Sequence, residues 1–193
     1  MARDDSRAQS RRAAFLLLLD GTRPSGPLEW VPRVAPVAAQ AAVGAGHWAA
    51  GRRQRALAAW ISAAGFALGA WGLGTEALTQ AEAERLRQQQ KDLLRKPGTE
   101  ATPAPTARQR ARRARYEAAF SVAGMVIRVR YDLRNPRRLT ALAIADEAPA
   151  VVFHVLRVPR AVQRRRPRMA AGSVLIVAGA VARLRAASAE PLR

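Results

Sequence analysis

The side chains able to do chemistry in this chain are few and scattered. His47 and His154 are the only histidines, each in its own hydrophobic stretch with no carboxylate or second histidine at ligand spacing, so both read as structural or interfacial. Asp146-Glu147 is the one acidic pair within an apolar helical stretch. In lipid such a pair would mark a functional site, whereas on a membrane surface it would stay in water or pair with Arg137 or Arg138, which is the reading preferred. The chain has no cysteine, which excludes disulfides, thiol catalysis and zinc sites built on thiolates. No phosphate-cradling glycine loop, nucleophile elbow or metal triad occurs. The expectation is a non-enzymatic protein with no cofactor and no metal.

What the residues do offer is positive charge. The formal net charge is +19, carried by arginine except at Lys91 and Lys96, and it predicts attraction to anionic surfaces, either nucleic acid or phospholipid headgroups. The densest cluster is Arg108, Arg110, Arg112, Arg113 and Arg115, followed by Tyr116, Ala119, Phe120, Ala123, Val126 and Ile127 on one helical face. Arginines alone would bind nucleic acid through phosphates. Apart from Tyr116, however, no base-stacking aromatics are interleaved with them, so lipid headgroups are the better-matched partner. From Ile127 to Leu133 apolar residues alternate with charged ones in a strand-like pattern, but no second strand exists to pair with it, and the helix reading is kept.

These residues must be positioned by apolar segments. Aromatic residues are only 5% of the chain and alanine supplies much of the apolar content, so a large soluble core is hard to build. Ala56 to Thr75 is an uncharged run of spanning length, bracketed by Arg52, Arg53 and Arg55 before it and Glu76 after it. Trp60 and Trp71 lie near its ends, and Gly65 and Gly69 form a GxxxG able to pack helices or subunits. The soluble alternative is a buried Ala/Gly-rich core helix. Met169 to Ala182 is uncharged but shorter than a span. It reads as a second, short embedded segment, with Gly172 and Gly179 on one face and Arg168, Arg183 and Arg185 snorkelling to headgroups.

The remaining organisation is helical. Residues 1–27 form a polar lead-in with a turn or two of helix around Phe15 to Leu19; the burst is too short for a secretory signal, and Asp4, Asp5 and Asp20 argue against a transit peptide. The final Pro-Leu-Arg is not a peroxisomal matrix address. Residues 28–96 hold the membrane-associated helices, with Pro32 and Pro36 bounding a helix beside the span, Gly44 and Gly46 loosening it, and Ala81 to Lys96 extending the span into water. Residues 97–106 form a flexible, proline-containing linker. Residues 107–193 form a unit of basic amphipathic helices, with Arg137 to Leu156 helical and kinked near Pro149. The fold class expected is all-α and membrane-associated, with one transmembrane helix and one short embedded segment.

Three groups of residues carry a family resemblance. Leu139-Thr140-Ala141-Leu142 with Ala145-Asp146, Ala150-Val151 and His154-Val155-Leu156, the segment around Gly172 and Gly179, and the Trp-bearing helix from Trp60 running into Arg87 together resemble the C-terminal part of the peroxisomal biogenesis factor 11 family. The resemblance implies a peroxisomal membrane protein acting in peroxisome elongation, proliferation or fission, with both ends in the cytosol. The chain would lack about half of a usual member upstream, where that family carries its membrane-bending helices. Under this expectation Arg108 to Arg115 hold anionic headgroups, Tyr116, Phe120 and Ile127 insert beneath them, and Gly65, Gly69, Gly172 and Gly179 pack helices or make a homo-oligomer. The alternatives are a small structural subunit of a larger, for example mitochondrial, membrane complex, and an Arg-rich nucleic-acid-binding accessory protein.

Overall fold

The computed structural model describes residues 12–94, 106–134 and 141–189, the side chains of 90–94 and 141–146 excepted. Seven helices account for nearly all of it, with no β-strand among the described residues. They are α1 (residues 12–20), α2 (Pro27–Ala49), α3 (Arg53–Thr75), α4 (Gln80–Leu94), α5 (Ala107–Arg134), α6 (Ala141–Gln163) and α7 (Pro167–Ser188).

Across the bundle the packing order is α5, α2, α3, α7, α6. The segments before and after the linker therefore interleave: α5 lies on α2, and α7 on α3. Neighbours α2 and α3 run antiparallel, because Trp30 reaches Gly74 at one end and Gly44 meets Trp60 at the other. The α3–α7 pair is antiparallel as well, with Gly72 beside Met169 and Gly179 beside Ser62.

Several boundaries differ from the sequence expectation, each for a physical reason. Pro32 and Pro36 do not bound α2 but lie inside it. Pro27 sets the first turn. Beyond it, the small residues Ala35, Ala39, Val43 and Gly44 give a continuous buried face, so packing outweighs the two lost backbone donors. Gly44 and Gly46 do not loosen the helix; the missing side chains admit the Trp60 ring and Leu133. Pro149 and Pro159 likewise lie within α6.

Nor does α3 run on into α4. It ends at Thr75, and Leu78 then forms an isolated bridge with Thr22, the Arg23 amide donating to the Leu78 carbonyl at 2.8 Å. Helix α4 begins afresh with a capping box in which Thr79 and Glu82 exchange hydrogen bonds, and Thr106 and Gln109 start α5 in the same way. The helix over Ile127 to Leu133 is confirmed as the end of α5.

The largest correction concerns α7. The segment read as short and embedded is a 22-residue helix, as apolar and nearly as long as the 23-residue α3, so the chain has two helices long and apolar enough to cross a membrane. Arg183 and Arg185 do not end it, because Arg183 turns inward onto neighbouring helices. The linker residues 97–105 lie outside the described residues, as do Arg137, Arg138 and the Asp146 side chain.

Candidate membrane interface

The α3–α7 contact is built from small residues. The buried positions of α3 are alanine, glycine and serine throughout, from Ala56 to Gly72; those of α7 include Gly172, Ser173, Gly179 and Ala180, with Met169 and Ile176 as the large ones. Gly65, Gly72, Gly172 and Gly179 permit backbone approach: a methyl on Gly172 would stand 2.6 Å from the Gly69 amide nitrogen, and one on Gly65 would stand 2.7 Å from that of Ile176. Gly69 is buried at the same crossing, yet a methyl there would meet nothing within 4 Å. The four glycines singled out from the sequence thus gather at a contact within one chain.

The large apolar residues point the other way. Leu57, Trp60, Ile61 and Trp71 are exposed on α3, Val174 and Val181 on α7, and Val152, Val155, Leu156 and Val162 on α6. No charged residue falls between Arg55 and Glu76 on α3, or between Arg168 and Arg183 on α7. In water the usual arrangement is the reverse, with large side chains inside. In lipid, where tails are as apolar as leucine, small residues make the helix contacts and large ones face outward. Tryptophan and arginine meet near both ends of α3: Arg168 lies 4.3 Å from the Trp71 ring centre and Arg53 lies 5.6 Å from that of Trp48, which itself stacks at 5.4 Å on Trp60.

Inside the bundle, polar side chains from three helices converge on Arg183 of α7, and a fourth helix, α5, joins them through Glu147. Its guanidinium donates to Gln40 Oε1 of α2 and to Ser62 Oγ of α3, both at 2.8 Å, and to Glu147 Oε2 of α6 at 2.7 Å. The second Glu147 oxygen accepts from Arg128 of α5 at 2.7 Å. Glu147 is therefore largely withdrawn from water, where the sequence reading left it, and pairs with Arg128 and Arg183; Arg137 and Arg138, its expected partners, lie outside the described residues. One carboxylate oxygen is given to each arginine, and the arrangement sets the register of α6 and α5 against the central pair.

A second polar cluster closes the opposite end. Asp20, 3% exposed, accepts from Arg160 at 2.9 and 3.1 Å and from Arg166 at 3.3 Å, while Arg157 donates to the Leu19 carbonyl at 3.1 Å. Burial, then Arg166, hold the Arg157 guanidinium down to about 10, against the opposing pull of Asp20. Glu76 caps α7 from the end of α3, accepting from the Arg168 and Met169 amides at 3.1 and 3.0 Å. The α6–α7 turn passes through Arg165, whose positive φ of 54° closes the helix end much as Gly51 (φ 72°) closes α2. Between the clusters, His154 Nδ1 and Ser173 Oγ lie 3.2 Å apart.

Helix α5 carries the basic cluster and the predicted inserting residues. Ala118 is its single buried residue among those described. Tyr116, Phe120 and Ile127 lie on the opposite face, Phe120 at 77% and Ile127 at 68% exposure. Arg108, Arg110, Arg112, Arg113 and Arg115 are all exposed; Arg112 lies over the Tyr116 ring and Arg113 pairs with Glu117 at 2.7 Å. The helix thus docks through Ala118 and, near its end, through Leu133 against Gly46 of α2, and turns Tyr116, Phe120 and Ile127 outward.

The residues missed by sequence reasoning are Arg128 and Arg183 as partners of Glu147, Gln40 and Ser62 as further acceptors for Arg183, and Asp20 with Arg160 and Arg166. The available signal was a charge or amide inside an otherwise apolar helix, at Gln40 and Arg183. Comparison with protein-family models, with curated proteins and with solved structures finds no match to this chain.

Proposed function

We propose that this chain is an integral membrane protein in which α3 and α7 cross the bilayer as an antiparallel pair. Its role is to organise the membrane, with no reaction to catalyse. The observation that carries the reading is the inversion of side-chain size: alanine, glycine and serine make up the inside of the α3–α7 contact apart from Met169 and Ile176, while Leu57, Trp60, Ile61, Trp71, Val174 and Val181 lie outside it. Leaving that outer surface in water would cost about 25 cal/mol for each Å² of apolar area, whereas lipid removes the cost. Helix α5 adds a peripheral contact in this reading. Its five arginines hold anionic headgroups, at about 1 kcal/mol for each one close to the surface, and Tyr116, Phe120 and Ile127 sit beneath them. The peroxisomal membrane is the proposed location and elongation or fission the proposed process, on the strength of the residue resemblance.

The complex-subunit alternative has glycine faces buried against other chains. Gly65, Gly72, Gly172 and Gly179 instead meet α3 and α7 of the same chain, which favours a self-sufficient hairpin. Alkaline-carbonate fractionation of the tagged full-length protein, with organelle markers followed in parallel, tests the proposal. Retention in the membrane pellet with peroxisomal markers is expected. Retention with another organelle would overturn the location, and release to the supernatant would overturn membrane residence itself.

A further inference from the structure

We propose that α2 is a third helix crossing the bilayer, with its outer face in lipid hydrocarbon; the inference rests on the crossing of α3 proposed above. Composition alone does not select α2, since α3 and α7 are the two helices apolar enough to qualify, and its many alanines contribute little transfer free energy. Its neighbour fixes its depth instead. Only Ala50, Gly51 and Arg52 separate α2 from α3, and the two pack antiparallel from Trp30 against Gly74 to Trp48 on Trp60. A helix held along the length of a crossing helix by so short a turn crosses with it.

The residues of α2 suit that depth. No charge occurs between Arg33 and Arg52, which leaves about 24 Å of uncharged helix for a hydrocarbon core of roughly 30 Å. Arg33 turns back toward the start of α2, donating to the Glu29 and Thr22 carbonyls, so its charge reaches for the headgroup side. Gln40 and His47, the polar side chains of the uncharged run, are buried: Gln40 accepts from Arg183, and His47 Nδ1 lies 3.3 Å from Arg52. What faces outward is Val34, Ala38, Ala41, Ala45 and Trp48, spaced alternately by four and three and so on one stripe. The four tryptophans of the chain fall into two sets, Trp30 and Trp71 at one end of the α2–α3 pair and Trp48 and Trp60 at the other, the arrangement of interfacial belts. Pro32, Pro36, Gly44 and Gly46 within one helix also fit a transmembrane helix better than a soluble one.

Lipid, and not a second copy of the chain, occupies the stripe. Helices in lipid associate through glycine notches and hydrogen-bonding side chains, and those of α2 are engaged within the chain: Gly44 by the Trp60 ring, Gly46 by Leu133 and Gln40 by Arg183. The stripe has neither. At Trp48 it joins Trp60 of the outer α3 face. This topology brings the chain before α2 and the chain after α3 to one side, where the Arg23 amide donates to the Leu78 carbonyl and Gln80 donates to the Arg23 carbonyl.

Single cysteines in a chain that has none test the proposal at exposed positions. In sealed vesicles from the expressing cells, an impermeant maleimide should label Ser25→Cys and Gln80→Cys from one side and Gln54→Cys from the other. In proteoliposomes, a nitroxide on Ala41→Cys should be relaxed by oxygen, which concentrates in hydrocarbon, and not by a water-soluble nickel chelate. Labelling of Ser25→Cys from the side of Gln54→Cys, with Gln80→Cys still opposite, would overturn the crossing of α2 and leave that of α3 standing. Gln54→Cys and Gln80→Cys labelled from the same side would remove the crossing of α3, and this proposal with it. A nitroxide open to nickel would put the stripe in water, and one shielded from both reagents would put protein on it; either result overturns the lipid contact.

Discussion

Two glycines at one helix crossing should respond oppositely to the same substitution. In Gly172→Ala the new methyl would stand 2.6 Å from the Gly69 nitrogen and 2.8 Å from the Gly65 carbonyl oxygen, both backbone atoms that no rotamer change can move. Restoring ordinary contact near 3.5 Å requires the helices to part by just under about 1 Å, a gap that forfeits roughly a quarter to a half of each attractive contact along the seam. Overpacking of this kind costs about 1–3 kcal/mol, offset by about 1 kcal/mol of improved helix propensity. In Gly69→Ala the methyl enters open space, so only the propensity gain remains. The two variants should differ by about 2 kcal/mol, Gly172→Ala below the parent and Gly69→Ala at or above it. Equilibrium unfolding of the purified protein in detergent, followed by helical circular dichroism, measures the difference. Equal stability of the two variants, or the reverse order, would refute the close backbone contact of α3 with α7.

Other parts of the structure make separate predictions. Glu147→Gln removes the charge shared by Arg128 and Arg183 and should destabilise the bundle by about 3 kcal/mol, whereas Glu147→Leu combined with Arg183→Met should recover much of the loss; the same unfolding assay reads both. Asp20→Asn should free α1 from Arg160 and Arg166, seen as faster hydrogen exchange in residues 12–20 with the rest of the bundle unchanged. Burial, with Arg157 adding to it, pushes the His154 imidazole from 6.5 down to about 4. A depressed histidine stabilises the fold fully above about pH 6.5 and progressively less as pH falls toward 4, by at most about 3 kcal/mol. Melts between pH 7 and 4 should show this acid loss and His154→Gln should lack most of it; an identical pH dependence in the variant would refute the assignment.

The parts of the fold that could be read from the sequence are those governed by neighbours in the chain. The start of α3 among Arg52, Arg53 and Arg55 and its end before Glu76 follow from charge alone. The capping boxes Thr79-x-x-Glu82 and Thr106-x-x-Gln109 also stand in the sequence as short-range signals of where α4 and α5 begin. Prolines misled in part: Pro32 and Pro36 read as bounds of a helix, but packing of small residues along α2 carries it through them, while Pro149, read as a kink within a helix, does lie inside α6, which also runs on past Pro159. The length of α7 was hidden because Arg183 resembles a terminus until its partners are known, and Gln40 lies 143 positions away from it. Asp20 likewise read as the end of an apolar burst, while Arg160 and Arg166, its counter-charges, lie 140 and 146 positions away. Of the candidate interface, the outward face of α5 was legible from its helical spacing. The inverted size distribution of α3 and α7 was not, since composition does not say which face of an alanine-rich helix meets its partner.

The most direct test of the membrane reading uses the absence of cysteine from the chain. Single cysteines at Ala64 and Ala67 of α3 and at Ala178 of α7 occupy exposed positions midway along the outer faces, while Gln54 and Ser188 lie exposed at the shared end of the two helices. In proteoliposomes treated with a membrane-impermeant maleimide, cysteine at 64, 67 and 178 should stay unlabelled until the lipid is dissolved, and cysteine at 54 and 188 should label from one common side. Labelling at 64, 67 and 178 as fast as at 54 in intact vesicles would place those faces in water and contradict the crossing of the bilayer by α3 and α7.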